Sequence, residues 1–143
     1  MSDRTCTLHA TCIAVEGKGV LIIGPSGSGK SALALQLMAM GGQLVADDRT
    51  SMRIDEGRLY ASAPSTIAGL IEARGVGILR VPYLEQARVS LIVDLEQIET
   101  TRLPPARTAC VLDIKLPCLH KVDAPYFAAA IRAYMFCNQN EIS

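Results

Sequence analysis

Eight consecutive residues, Gly24-Pro25-Ser26-Gly27-Ser28-Gly29-Lys30-Ser31, fit the pattern G-x-x-x-x-G-K-[ST] in full. Chemistry on phosphate asks for these residue types. Gly24, Gly27 and Gly29 permit backbone torsions that a side chain resists, so that successive N–H groups can turn toward phosphate oxygens. Lys30 is spaced to reach the β- and γ-phosphates, and the Ser31 hydroxyl to ligate Mg²⁺. The implied ligand is a nucleoside triphosphate. About 17 residues beyond Lys30, Asp47-Asp48 closes a short apolar run. A carboxylate there can hold a metal or take a proton from an attacking hydroxyl. Adjacent strand residues point to opposite faces, so one of the pair is expected toward the phosphates and the other onto backbone or a basic neighbour.

Three further side chains have two readings each at this level. Glu72 is a metal ligand or the terminal charge of a helix, His9 a catalytic or a plain strand histidine, and Arg102 a phosphate clamp or a solvated cation. His120 and Lys121 carry no specific signal.

The elements that must position these groups follow from the flanking pattern. Val20 to Ile23 reads as a buried strand and Ala32 to Met40 as a helix, the context a phosphate-binding loop requires. Leu33, Leu37 and Met40 mark one stripe of that helix while Leu35 and Met38 widen it, which predicts a largely buried element. Gly41-Gly42 ends it as a left-handed cap. Thr5 to Val15 is β-prone, carries His9, and pairs across Glu16-Gly17-Lys18-Gly19 with the next strand. Met52 to Ile54 and Leu59 to Ala63 flank a second hairpin turn, and Ser65 caps a short helix to Ala73. Ile71 to Val81 passes from a charged pair through a glycine turn into a strand. Val89 to Leu95 is a strand, Leu103-Pro104-Pro105 a break, and Ala109 to Leu116 one or two strands. Pro125 to Cys137 is the closing helix, with the proline in its first turn. The sum is one α/β unit with more strands than helices.

Composition agrees. The 143 residues are enough for one domain with a substantial core, and half are hydrophobic, which argues against disorder. Fourteen basic and fourteen acidic side chains cancel without a basic stripe, so no nucleic-acid partner is expected. No apolar run approaches the roughly 18 residues of a membrane helix, and Met1 to Cys6 lacks the apolar core of a leader, so neither membrane nor export is expected. Five cysteines without a C-x-x-C pair read as reduced, mostly core residues of a cytoplasmic protein.

His9, fifteen residues before Gly24, then GPSGSGKSALALQLMAMGGQLVADDR, then IEARGVGILRV, resemble the catalytic domain of bacterial HPr kinase/phosphorylase, in a short form without that family's N-terminal domain. The likeness runs from His9 to Leu95, with a weaker continuation through Arg102-Leu103 and Leu116-Pro117. It implies a P-loop fold related to phosphoenolpyruvate carboxykinase, a mixed β-sheet with flanking helices, across residues 1–143. It implies an ATP- and Mg²⁺-dependent kinase acting on a serine of HPr or an HPr-like phosphocarrier in a phosphotransferase system, the reverse dephosphorylation by inorganic phosphate, and a hexamer. The resemblance makes Asp48 the base with Asp47 beside it, Ser31 and Glu72 the Mg²⁺ ligands, Lys30 the phosphate lysine, and His9 and Arg102 a catalytic histidine and arginine. Two departures separate the two halves of the activity. The loop after the signature segment shortens to Tyr83 through Arg88, and Cys118 through Ala124 replaces the basic segment tied to dephosphorylation, whereas every residue matching the kinase half is kept.

Two other readings stand beside this one. A small-molecule kinase of the P-loop class would need an arginine-rich lid and a substrate insertion, for which the chain has little room. A nucleotide-binding regulator without turnover would have lost the base or the metal ligands, yet Lys30, Ser31, Asp48 and Glu72 are present.

Overall fold

The computed structural model describes residues 4–137; the first three residues of the stretch read above for a leader lie outside it. Strands β1 (Thr5–Leu8), β2 (Ala10–Val15) and β3 (Lys18–Ile23) precede helix α1 (Lys30–Ala39). Then come β4 (Gln43–Ala46), β5 (Thr50–Asp55), β6 (Arg58–Ser62), β7 (Leu70–Ala73) and β8 (Gly77–Arg80). The chain continues through β9 (Ala87–Ile98), β10 (Arg107–Val111) and β11 (Ile114–Lys121) to helix α2 (Phe127–Cys137). This is the mixed α/β class expected.

Nine strands form one sheet in the order β1-β5-β6-β9-β3-β2-β4, with β11 on the other part of β9 and β10 outside it. β9 serves both halves of this sheet. Ala87 and Arg88 pair antiparallel with β6, and from Val89 onward the strand runs parallel to β3. The register slips by one residue there, from Gly19↔Val89 to Val20↔Leu91. A bulge of this kind bends a strand and swaps its faces. Ala87 and Val89 accordingly pack with Cys12, Leu21 and Met52, while Leu91, Val93 and Leu95 pack with α1 and α2. Gly19 makes the junction possible, because a Cβ on it would lie 3.0 Å from the Arg88 carbonyl oxygen.

The curl covers the central strands on both sides. All six residues of β2 are buried, as are Gly19 to Ile22 of β3, which explains their unbroken apolar runs. The β2–β3 and β5–β6 hairpins close through Glu16-Gly17 and Glu56-Gly57, each with positive φ at both positions, the geometry that suits strand twist.

Several local expectations are corrected. Thr5 to Val15 breaks at His9, so that β1 pairs with β5 and β2 with β3 and β4. No helix spans 65–73. A single 3-10 turn at Ser65–Ile67 is stopped by Gly69 at φ 79, and β7 then buries Ile71 and Ala73 with a period of two. Helix α1 buries Lys30, Leu33, Ala34 and Leu37 and packs Leu35 and Met38 partly against the same core, while Ala32, Gln36 and Ala39 face outward and Met40, just past its end, is 36% exposed. Its end follows expectation: Gly41 is left-handed at φ 101, and the Gly42 and Gly41 N–H groups return to the Leu37 and Met38 carbonyls. The strand at Val89 to Leu95 extends to twelve residues, and the region read as Ala109 to Leu116 is the β10–β11 hairpin. Pro125 sits in the turn before α2 rather than inside it. All five cysteines are free, but Cys110 and Cys137 are exposed; only Cys12 and Cys118 are buried. No helix among the described residues is long and apolar enough to cross a membrane.

Candidate active site

The phosphate loop joins β3 to α1 at the carboxyl ends of the parallel strands β3 and β9, where open α/β sheets gather ligands. Gly24 is indispensable there: at φ 151, an added Cβ would fall 2.7 Å from the Ser28 hydroxyl and 3.2 Å from the Leu95 Cβ. Gly29 caps α1 in the left-handed region at φ 101 with no side-chain cap, so the first N–H groups of the helix face the cleft uncovered. The Lys30 ammonium folds back over the loop and donates to the Gly24 and Pro25 carbonyls at 2.8 and 3.1 Å. Burial lowers its pKa, and the nearby Asp48 and Asp47 charges oppose that shift. The Ser28 hydroxyl is buried and has no hydrogen-bond partner among the described residues.

Asp47 and Asp48 lie just past β4 and separate sharply. Asp47, 6% exposed, accepts from Thr11 Oγ1 at 2.9 Å and Ser31 Oγ at 2.6 Å through Oδ1, and from the Glu72 N–H at 3.1 Å through Oδ2. One carboxylate thus ties β2, α1 and β7 together. Asp48 adopts φ 71, and the Arg49 N–H bonds back to the Asp47 carbonyl at 2.7 Å, closing a tight three-residue turn about Asp48. A non-glycine residue held this way is strained, and such strain clusters at functional sites. The turn aims the Asp48 side chain outward, 64% exposed, with Oδ1 3.1 Å from His9 Nε2. His9 itself stands in the bend between β1 and β2.

These groups surround a cleft of about 410 Å³ whose walls include His9, Lys30, Ser31, Asp48 and Glu72. Ser26, Gly27 and Gly29 line its floor, and Arg74 and Val76 of the β7–β8 turn its rim. The Glu72 carboxylate is exposed and has no hydrogen bond or ion pair to other described residues. Among the described residues no group of three or more His, Cys, Asp and Glu side chains is set to hold a metal. A site of one carboxylate and one hydroxyl beside a phosphate cradle fits Mg²⁺, which keeps water and substrate phosphates as its other ligands. Arg102 stands apart, in the exposed loop between β9 and β10, and is not part of the cleft wall.

Thr11 is the group that sequence reasoning missed. It is fully buried, donates to Asp47, and has the Asp48 N–H 3.5 Å away. Its signal was a hydroxyl in an apolar strand, two residues after His9. Arg74, in the charged pair that opens the glycine turn, joins the cleft only once β7 and β8 pair.

Comparison with known proteins bears on the family and the fold. The HPr kinase/phosphorylase of Geobacillus thermodenitrificans (strain NG80-2) is 40% identical over 127 residues, 79% of this chain and 41% of that protein. The HPr kinase/phosphorylase of Clostridium tetani (strain Massachusetts / E88) is 41% identical over 97 residues, 63% of this chain and 32% of that protein. The chain therefore spans about a third to two fifths of the length of these curated relatives. A solved structure, the Hpr(Ser) kinase/phosphatase from Coxiella burnetii, superposes with a TM-score of 0.81 at 27% identity, covering 96% of this chain and 98% of that one. The profile of the HPr Serine kinase C-terminal domain matches residues 2–108, from before His9 to beyond Arg102, and the chain belongs to that family.

Proposed function

We propose that this chain, as one catalytic unit over residues 1–143, transfers the γ-phosphoryl group of ATP to a serine of HPr or an HPr-like phosphocarrier, and that it works in the cytoplasm as a hexamer. The observation that carries the reading is the convergence of Lys30, Ser31, Glu72 and the strained Asp48 on one cleft. The relatives' names, HPr kinase/phosphorylase and Hpr(Ser) kinase/phosphatase, support the substrate.

The loop N–H groups, the start of α1 and Lys30 hold the phosphates. Lys30 exchanges the Gly24 and Pro25 carbonyls for phosphate oxygens, so its present bonds hold it ready near the loop. Ser31 and Glu72 would hold Mg²⁺, which supplies neutralisation of the charge that builds on the transferring group. Because the Ser31 hydroxyl gives its proton to Asp47, its lone pairs are turned to the cleft for that ligand. Asp48 Oδ takes the proton of the incoming serine hydroxyl as its oxygen attacks the γ-phosphorus and the bond to the bridging oxygen breaks, releasing ADP. His9, in the same cleft wall, holds the Asp48 carboxylate through its Nε2 contact with Oδ1. In the reverse direction, with inorganic phosphate as acceptor, Asp48 returns the proton to the departing serine oxygen.

The test is transfer of labelled γ-phosphate from ATP to HPr by wild type, Lys30→Ala and Asp48→Asn side by side. Phosphoserine formed by wild type and lost in both variants is the expected result, and later addition of inorganic phosphate reads the reverse half. If ATP binds and no carrier is labelled, the kinase reading fails and a nucleotide-responsive regulator replaces it.

A further inference from the structure

Outside the cleft, the strongest polar cluster is built on Glu99, at the end of β9. Its side chain is 7% exposed, and both carboxylate oxygens are engaged by Arg107: Nε donates to Oε1 and Nη2 to Oε2, each at 2.9 Å. The Thr101 N–H donates to Oε2 at 3.2 Å, and the Glu99 N–H is fixed to the Lys121 carbonyl at 2.8 Å. His120 Nδ1 stands 4.0 Å from Oε1. Two parallel charge-assisted bonds in a fork are a rigid form of ion pair.

The placement of this pair gives it a task. Glu99 follows β9 directly and Arg107 opens β10, so the pair brackets the β9–β10 connection. Everything between them, residues 100–106, is exposed and without helix or strand, so the fork is the main tie across a loop that has little else to hold it. The loop leaves β9 four residues beyond Asp94, the register partner of Ile23, and so projects from the same end of the sheet as the phosphate loop. Near its middle is Arg102, whose guanidinium makes no hydrogen bond or ion pair with the described residues. Pro104-Pro105 stiffens the return limb.

We infer that the Glu99–Arg107 fork is a clasp whose two members are positioning residues: by closing the β9–β10 loop they hold Arg102 at the end of the sheet that carries the phosphate loop, outside the cleft wall, from where its unpaired guanidinium reaches substrate phosphate once substrate is bound. This rests on the kinase reading for the reaction served, although the clasp is a property of the loop whatever the reaction.

Two arms test it on the full chain. The first reads the loop without turnover, as the rate at which trypsin cuts the Arg102–Leu103 bond in native protein. Glu99→Gln keeps the shape and removes the charge, and the cut is expected to accelerate roughly tenfold as the loop opens locally. Arg107→Lys keeps the charge and loses the fork, and serves as the second variant, with thermal melting showing that each chain is folded. A folded variant cut at the wild-type rate overturns the clasp. The second arm measures phosphoryl transfer in a cycle of Glu99→Gln and Arg102→Ala. The clasp predicts a lower kcat with KM for ATP held within about twofold, and no further loss from Glu99→Gln once Arg102 is alanine. Equal losses in both backgrounds mean that Glu99 does not act through Arg102. Failure of the kinase reading would abolish transfer in wild type and leave the trypsin arm standing.

Discussion

The Ser31 hydroxyl donates a 2.6 Å hydrogen bond to Asp47, joining the first turn of α1 to the end of β4 through a carboxylate that is itself buried. The bond links the phosphate loop to the acidic pair, and the same carboxylate reaches β7 through the Glu72 N–H. Asp47 is therefore the keystone beneath the cleft, while Asp48 is the group presented to it.

Removing that keystone should cost stability first. Asp47→Ala strands the Thr11 and Ser31 hydroxyls and the Glu72 N–H, and is expected to lower the unfolding free energy by about 3 kcal/mol. Urea unfolding measures this; a loss under about 1 kcal/mol would mean that water replaces the carboxylate without penalty.

Asp48→Asn should do the opposite. Asparagine tolerates the left-handed backbone at φ 71, so the melting temperature should hold while kcat for phosphoryl transfer falls about 10²–10⁴-fold. ATP binding, followed by calorimetry, should persist. A variant with near wild-type turnover would remove Asp48 from the role of base.

Gly24→Ala places a methyl group 2.7 Å from the Ser28 hydroxyl at φ 151. The loop must distort, with an expected loss of about 1–2 kcal/mol in stability and of measurable ATP affinity. Gly27→Ala is a useful partner, since its Cβ meets nothing within 4 Å and only its positive φ of 83 opposes the change.

Acid should act through Glu99. The Arg107 hydrogen bonds lower its pKa from 4.5 to about 2 against the opposing effect of burial, with the Thr101 N–H and the Arg107 and His120 charges adding to the shift. A carboxyl with a depressed folded pKa binds fewer protons folded than unfolded, so its stabilisation is complete above 4.5 and is lost as pH falls toward 2. Denaturant unfolding between pH 5 and 2.5 should show a shallower decline for Glu99→Gln than for wild type; parallel declines would contradict the assignment.

Thiol reactivity should separate the cysteines. Burial pushes the Cys12 thiol up to about 12, so it should resist alkylation in native protein while the exposed Cys110 and Cys137 react. Peptide mapping after a short iodoacetamide pulse reads this directly.

Much of the site was legible because it is made of neighbours in the chain. A strand, a glycine loop and a helix in succession form a phosphate cradle from consecutive torsions, and Gly41 stops the helix by the same local rule. Where tertiary pairing competes with local pattern, reading failed. Leu70 to Ala73 passes for helix until β8 offers a ladder, and α1 looks buried all round, yet Ala32, Gln36 and Ala39 face outward. The sequence by itself determined the glycine loop with its lysine and the acidic pair after the next strand. Tertiary structure alone decided that His9 meets Asp48 across 39 residues, that Thr11 supports Asp47 across 36, and that Arg102 is carried on a clasped loop outside the cleft wall. The physical reason is that those contacts follow from strand order and the bend of β9, which no short window of residues encodes.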